Sequence, residues 1–182
     1  MNTQIYIIGG KARAGKDTVA AFIKEEMEKE KKKHLNIQYS FYIKEYAKKI
    51  SNWDGNESNK PRELLQKLGT DIIRKNLGDD FLIKKLIDDL KVYSLFFDCI
   101  TVSDARFKKE IDIPKMNFDN VQSIHIIRPN FDNGLTEEEK KHPTEIDLDD
   151  YGNFDYEIIN DGSLDDLREK VVKLLKEVQN ES

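Results

Sequence analysis

Residues 4–23 read QIYIIGGKARAGKDTVAAFI. The apolar run of residues 4–8 ends in Gly9-Gly10 and reads as a buried strand. From Lys16 onward, Val19, Ala20, Phe22, Ile23 and Met27 fall on one face of a helix, which the pattern carries to about residue 33. Between strand and helix, Gly10-x-x-x-x-Gly15-Lys16 has the spacing of a phosphate-binding loop. Its glycines let backbone N–H groups turn inward around phosphate oxygens, and the helix start adds the positive end of its dipole. Gly10, Lys11, Ala12, Arg13, Ala14, Gly15, Lys16, Asp17 and Thr18 are therefore the candidate triphosphate-binding residues, with Lys16 reaching the β- and γ-phosphates. A glycine-rich turn that holds nothing is the plain alternative.

One position departs from the motif. A Ser or Thr normally follows the lysine and ligates magnesium, whereas here Asp17 stands in that place and Thr18 follows it. A carboxylate can hold Mg²⁺ directly or through a retained water, because this ion keeps part of its hydration shell. Asp17 also complements the helix dipole, and the two roles are compatible.

The 182 residues suit one domain, 1–182, with a substantial core. A net charge of −5 argues against a surface that coats nucleic acid, though not against a local basic pocket. The single cysteine, Cys99, cannot form an internal disulfide and suits a reducing cytoplasm. Neither a signal peptide nor an apolar segment long enough to cross a bilayer is recognisable, so no membrane association is expected. The thirty basic residues include only six arginines. Where lysine serves ordinary solvated faces, the remaining Arg13, Arg62, Arg74, Arg106 and Arg128 are candidates for planar, bidentate work on anions. Arg168, in the last helix, reads as a surface residue.

Further along the chain, residues 35–39 alternate apolar and polar as a second strand does. A helix over 41–50 precedes the polar cluster SNWDGNESNKP, in which Trp53 reads as a loop anchor rather than a base-stacking platform. Pro61 opens a helix to about residue 76, Gly78 breaks it, and Asp79 caps another to about residue 93. LFFDCITV, residues 95–102, reads as a third strand, and residues 106–112 as a helix stopped by Pro114. Residues 121–127 form a fourth strand. Residues 128–152 lack apolar periodicity and read as a lid over a site, or as a plain long loop. A fifth strand, residues 156–159, leads to a final helix capped by Ser163 and Asp166. Strands alternating with helices predict a three-layer α/β/α sandwich of about five parallel strands. Within it, residues 41–93 form a helical acceptor-binding region.

Two further stretches carry chemistry. In TVSDARFKKEID, Asp104 follows the third strand, where ligands of open parallel sheets gather, and Arg106 starts the next helix. Asp104 is thus a candidate metal or acceptor residue and Arg106 a candidate phosphate ligand; a structural Asp–Arg pair is the alternative. In KPRELLQKLGTDIIRKNLGDDF, Arg62, Gln66 and Arg74 lie four and eight positions along one helix face and could clamp a monophosphate and read a base edge. The alternative there is a surface helix whose apolar face is Leu64, Leu65, Leu68, Ile72 and Ile73. Arg128 ends the fourth strand, and His142 lies in the lid.

Taken together, these residues resemble the deoxynucleoside monophosphate kinase family known from bacteriophages. GGKARAGKDTVAAFI looks like its Gly-Lys-Asp-Thr phosphate loop, and YSFYIKEYAKKI like its segment after the second strand. RELLQKLGTDIIR resembles its Arg-Leu-Leu-Gln-x-Leu-Gly-Thr element, and VSDARFKKEID its Asp-x-Arg-Phe-x-x-Glu element. HPTEIDLDDYGNFDYEIINDGSLDDL resembles its His-x-x-Glu lid end and the Asn-Asp-Gly before the last helix. The resemblance implies a P-loop kinase that moves the γ-phosphoryl of ATP onto a deoxynucleoside 5′-monophosphate with Mg²⁺. It implies that Lys16, Asp17 and Thr18 hold triphosphate and metal. It places Arg13 and Arg128 near the transferring group, and Arg62, Gln66, Asp104 and Arg106 toward the acceptor. Lys16, Arg13, Arg106 and Arg128 are the expected catalytic residues, and Asp17 and Asp104 the expected metal ligands. The segment YSFYIKEY lacks the family's Ala/Gly-x-Pro, and the lid lacks the several arginines of adenylate kinase lids.

Two other readings stay open at this level. One is a P-loop kinase for another small phosphorylated acceptor, since animal phosphomevalonate kinase also shows Gly-Lys-Asp. The other is a nucleotide-binding switch, against which the guanine motif Asn-Lys-x-Asp is missing: Asn59-Lys60 is followed by Pro61-Arg62. Preferred base, preferred sugar and oligomeric state, a homodimer included, stay open as well.

Overall fold

Strand β1 (Gln4–Gly9) sends Ile5 and Ile7 to one face of the sheet and Tyr6 and Ile8 to the other, and all four are buried. That two-residue alternation, buried on both sides, belongs to the central strand of a covered parallel sheet. The computed structural model describes residues 3–181, so the ends of the 1–182 span lie outside the described residues. Around β1 stand β2 (His34–Ile37), β3 (Cys99–Ala105), β4 (Val121–Ile127) and β5 (Tyr156–Ile159). All pairings are parallel, in the order β2-β3-β1-β4-β5.

Helices α1 (Lys16–Lys29) and α9 (Leu164–Glu181) cover the face that holds Tyr6 and Ile8. Val19, Phe22 and Ile23 of α1 meet Leu167, Val171 and Leu174 of α9 in that layer. Arg168 ties the two helices at the surface: it pairs with Glu25, and its guanidinium lies 4.2 Å from the centre of the Phe22 ring.

A second layer, under Ile5 and Ile7, is built by Ile83, Leu86 and Leu90 and by Ile111. A third, smaller cluster joins α2 (Phe41–Ser51) to the helical run of residues 62–77. Trp53 is buried in it, with its indole N–H shared between Asn56 O and Asn59 Oδ1 at 2.9 and 3.0 Å, the anchoring role expected of it.

Several boundaries differ from those expected. β2 ends at Ile37 rather than residue 39, because Tyr39 and Ser40 give their amides to Asp104. Residues 62–77 are not one regular helix. A short α3 (Arg62–Gln66) opens into a π-helical stretch, Lys67–Arg74, and closes as α4 (Lys75–Leu77). The wider turn brings Leu68 and Ile73, five residues apart, into the third cluster. α5 (Phe81–Tyr93) follows. The third strand starts at Cys99, because residues 94–97 close α5 in tight turns that leave Leu95 and Phe96 exposed. An unbroken apolar run does not by itself separate strand from helix end.

The helix expected to stop at Pro114 runs on as α6 (Lys108–Asn117) with the proline inside it. Proline offers no N–H, so the carbonyl of Glu110 loses its usual donor four residues on. The buried Tyr39 hydroxyl takes that place and donates to Glu110 O at 2.5 Å.

Residues 128–155 cross the carboxyl ends of the strands and carry α7 (Glu137–Lys140) and α8 (Pro143–Ile146). Thr136 and Glu139 form a capping box on α7, and the His142 ring accepts the Thr144 amide at the start of α8. His142 is therefore a helix cap. Among the described residues no helix is long and apolar enough to cross a membrane.

Candidate functional site

The turn from β1 into α1 is made by backbone that few residues adopt. Gly10 and Gly15 have φ of 140° and 109°, and Arg13 between them sits in the left-handed region at 59°. A Cβ on Gly10 would lie 2.5 Å from Ile126 O, and one on Gly15 would lie 2.8 Å from the Asn160 amide nitrogen. Both glycines are thus required by conformation and by close approach. Asn160, at the end of β5, donates to Ala14 O at 2.9 Å and ties the loop to the far strand.

Lys16 starts α1 and is 6% exposed. Its ammonium donates to Gly10 O at 2.8 Å and Lys11 O at 2.7 Å. Burial pulls its pKa down to about 7, and the nearby Arg106 charge adds to that, while Glu145, Asp104 and Asp17 pull the other way. Not every loop residue faces the same way. Ala14 packs into the α1–α9 core, and the Lys11 side chain turns outward to Asp149 at 2.9 Å.

The loop opens onto a cavity of about 610 Å³, in the range of small-molecule sites. Ala12, Arg13, Gly15, Lys16, Asp17 and Thr18 form its floor. Arg62, Gln66, Arg74, Asp104, Arg106 and Arg128 also line it. The cavity lies at the carboxyl ends of β1, β3 and β4, where β1 has neighbours reached by crossovers in opposite directions.

Several of these side chains are held by two glutamates that close the His-x-x-Glu and Asp-x-Arg-Phe-x-x-Glu elements, to which the sequence reading gave no role. Glu145 of α8 is the centre of one arrangement. Its Oε2 accepts the Ala12 amide at 2.9 Å and its Oε1 the Arg106 guanidinium at 2.8 Å. The other end of the cavity has Glu110, 2% exposed. It pairs with Arg74 at 2.8 Å and accepts the Arg106 and Phe107 amides at 2.7 and 3.1 Å. Burial pushes the Glu110 carboxyl up to about 7, against the opposing pull of Arg74. The Arg74 guanidinium also lies 4.2 Å from the centre of the Phe107 ring. Arg74 thus lines the cavity with its charge already engaged.

Asp104 has both carboxylate oxygens on backbone amides, Tyr39 N at 2.8 Å and Ser40 N at 2.9 Å, at the entry to α2. Asp17 instead meets side chains: Ser103 Oγ donates to its Oδ1 at 2.7 Å, and Gln38 Nε2 approaches the same oxygen at 3.2 Å. Among the described residues no group of three or more acidic, histidine or cysteine side chains is placed to hold a metal.

Arg13 and Arg128 face the cavity from the loop and lid sides. The Arg13 guanidinium donates to Asn133 O at 2.8 Å. Arg128 stacks on Phe131, 3.7 Å from the ring centre, and reaches Arg13 O at 3.4 Å. The 128–155 segment is therefore tied to the β1–α1 loop through Arg128, Asn133, Glu145 and Asp149.

The family described as deoxynucleotide monophosphate kinase matches residues 27–171 of this chain. That interval starts near the end of α1, so it leaves out the loop, and it includes Arg62, Arg106 and the 128–155 segment. A comparison with curated proteins gives no match. Solved structures with the same fold include dephospho-CoA kinase from Campylobacter jejuni, 15% identical over 98% of both chains with a TM-score of 0.55. Shikimate kinase from Bacteroides thetaiotaomicron is 11% identical over 95% of this chain and 98% of its own, with a TM-score of 0.57. APS kinase from Mycobacterium tuberculosis, solved with AMPPNP and APS, is 14% identical over 96% and 98%, with a TM-score of 0.51.

Proposed function

This chain belongs to the deoxynucleotide monophosphate kinase family, and from that premise we propose how its cleft performs the transfer. It is a phosphotransferase: the terminal phosphoryl group of ATP moves to a deoxynucleoside 5′-monophosphate, giving the diphosphate. The observation that carries the site assignment is the shared cavity. One opening receives both the loop, with Lys16 at its floor, and the Arg62–Gln66 helix face.

Phosphoryl transfer is mostly positioning and charge stabilisation, and needs no strong base. The loop amides and the α1 start receive the triphosphate. Lys16, between the loop carbonyls and the cavity, neutralises charge that grows on the β- and γ-oxygens. A phosphate also supplies the anion that keeps this desolvated ammonium charged at neutral pH. Arg106 and Arg13 flank the path of the moving group, and Arg128 closes it from the lid side. Arg62 and Gln66 hold the acceptor from the opposite wall, which Arg74 stiffens through Glu110.

The donor set fits Mg²⁺: a carboxylate oxygen of Asp17 at the cavity floor, oriented by a hydrogen bond, is the hard ligand this ion prefers. Asp17 would hold the ion together with the nucleotide's phosphates, and the ion would supply positive charge that offsets the charge of the transferring group. Asp104, whose oxygens are engaged by the α2 amides, shapes the acceptor wall. We also place the enzyme in the cytoplasm. The buried Cys99 thiol, whose pKa desolvation pushes up to about 12, is protected from oxidation and suits a reducing compartment.

Coupled ADP-release assays with ATP across the deoxynucleoside monophosphates test the assignment. Turnover of at least one of them is expected. Turnover of mevalonate phosphate, with none of any deoxynucleotide, would overturn it.

A further inference from the structure

In P-loop enzymes the residue after the loop lysine is a Ser or Thr, and an Asp approaches it from the end of a neighbouring strand; together they hold magnesium. Both chemical groups are present here, but on the opposite elements. The residue after Lys16 is the carboxylate Asp17. The group that meets it from the end of β3 is the hydroxyl of Ser103, 2.7 Å from Asp17 Oδ1 and 1% exposed.

The alternation of β3 decides which residue can play this part. Thr101 and Ser103 face the α1 side, and Asp104 faces away, with both oxygens on the Tyr39 and Ser40 amides. The nearest strand-end acid is therefore turned from Asp17, and the hydroxyl is turned toward it. Ser103 is itself oriented. Asn36 Nδ2 and Gln38 Nε2 donate to its Oγ at 3.1 and 3.2 Å. A hydroxyl has two lone pairs and one proton, so with both lone pairs occupied its proton is directed onto Asp17. Gln38 is fixed in turn by Lys44, at 2.6 Å from its carbonyl oxygen. Behind Asn36, Thr101 Oγ1 donates to Asn36 Oδ1 at 2.9 Å and contacts the His34 ring at 3.1 Å. A line of polar side chains thus runs between β2 and β3 and ends on one oxygen of Asp17.

We propose that this kinase carries its magnesium pair in exchanged order: Asp17 supplies the carboxylate from the start of α1, and Ser103 is the positioning residue that aims it from β3. The inference rests on the kinase reading of the cavity. It differs from the sequence expectation in pairing Asp17 with Ser103 rather than with Asp104.

The test is the factor by which Mg²⁺ tightens binding of AMPPNP, measured by isothermal titration with and without EDTA. Removing a group that orients a metal ligand typically costs about 10- to 100-fold in metal affinity. Ser103→Val should lose about tenfold or more of the magnesium factor, while its binding in EDTA stays within about threefold of the parent, and Asp17→Ser should lose the magnesium factor as well. Ser103→Thr, which keeps the hydroxyl, should keep the factor. The double exchange D17S/S103D, which restores the usual order, should recover it. If Ser103→Val keeps the full factor, or if a folded double exchange binds no better than D17S, the proposal is overturned. Should S103D prove unable to fold, the Val and Thr pair decides alone. A parent enzyme that binds no AMPPNP even in EDTA would overturn the kinase reading itself, a different result from losing only the magnesium factor.

Discussion

Glu145, on α8, places a carboxylate oxygen 2.9 Å from the Ala12 amide in the middle of the β1–α1 loop. Its second oxygen holds Arg106 at 2.8 Å. An acidic side chain thus sits among the donors that suit a phosphate, and joins the lid, the loop and the β3–α6 turn in one contact.

Because the Glu145 charge stands against an anion site, Glu145→Gln should tighten AMPPNP binding. Two like charges about 4 Å apart interact by roughly 1 kcal/mol even in water, or about fivefold. The same change releases Arg106, so kcat should fall. Titration calorimetry together with steady-state rates reads both. Weaker nucleotide binding in the variant would contradict this account.

Lys16→Met and Arg13→Ala should each abolish most turnover, by roughly 10³-fold or more if either group stabilises the moving phosphoryl. Stability should respond differently. Lys16 is 6% exposed, so replacing its ammonium with an apolar chain of similar length removes a desolvation cost. Lys16→Met should melt no lower than the parent by circular dichroism. Near-normal kinase rates in that folded variant would refute the role assigned to Lys16.

The same lysine predicts a pH dependence for the ligand-free protein. Its folded pKa is about 7 against an ordinary 10.5, so between these values the unfolded chain binds more protons. Stability should therefore rise with pH from roughly 7 to 9, below the range in which tyrosines titrate. Urea midpoints across this range should climb in the parent and stay flatter in Lys16→Met. Equal slopes would show that Lys16 titrates normally.

Pro114 and Tyr39 form a couple through the Glu110 carbonyl. Tyr39→Phe leaves that buried acceptor without its donor and should cost about 1–3 kcal/mol. In a Pro114→Ala background the helix amide returns, and the same change should cost clearly less. A double-mutant cycle by urea unfolding measures the difference. Glu110→Ala, which strands Arg74, should be worse, at about 3–5 kcal/mol. Additive effects of Tyr39→Phe and Pro114→Ala would rule out the compensation.

Much of this molecule is legible along the chain because its signals are local. The alternation of strand β1, the apolar stripe of α1 and the glycines of the loop each lie within a few residues, and they specify a parallel α/β sheet with a glycine-bounded loop at the end of its central strand. The ordered motifs of the family carried the reading on to a nucleotide kinase. Boundaries failed where a distant partner decides them. LFFD resembles a strand until the turn that closes α5 is seen, and Pro114 looks like a stop until Tyr39 replaces the missing donor.

The same division runs through the site. Residue types and spacing pointed to Lys16, Arg62 and Arg106, because charge and motif are properties of the chain itself. Spacing carries no record of which side chains meet across 86 positions, as Ser103 and Asp17 do, or across 133, as Glu145 and Ala12 do. Only the folded sheet, which brings the ends of β1 and β3 side by side and lays the lid across them, sets which carboxylate faces the cavity and which is spent on a helix start.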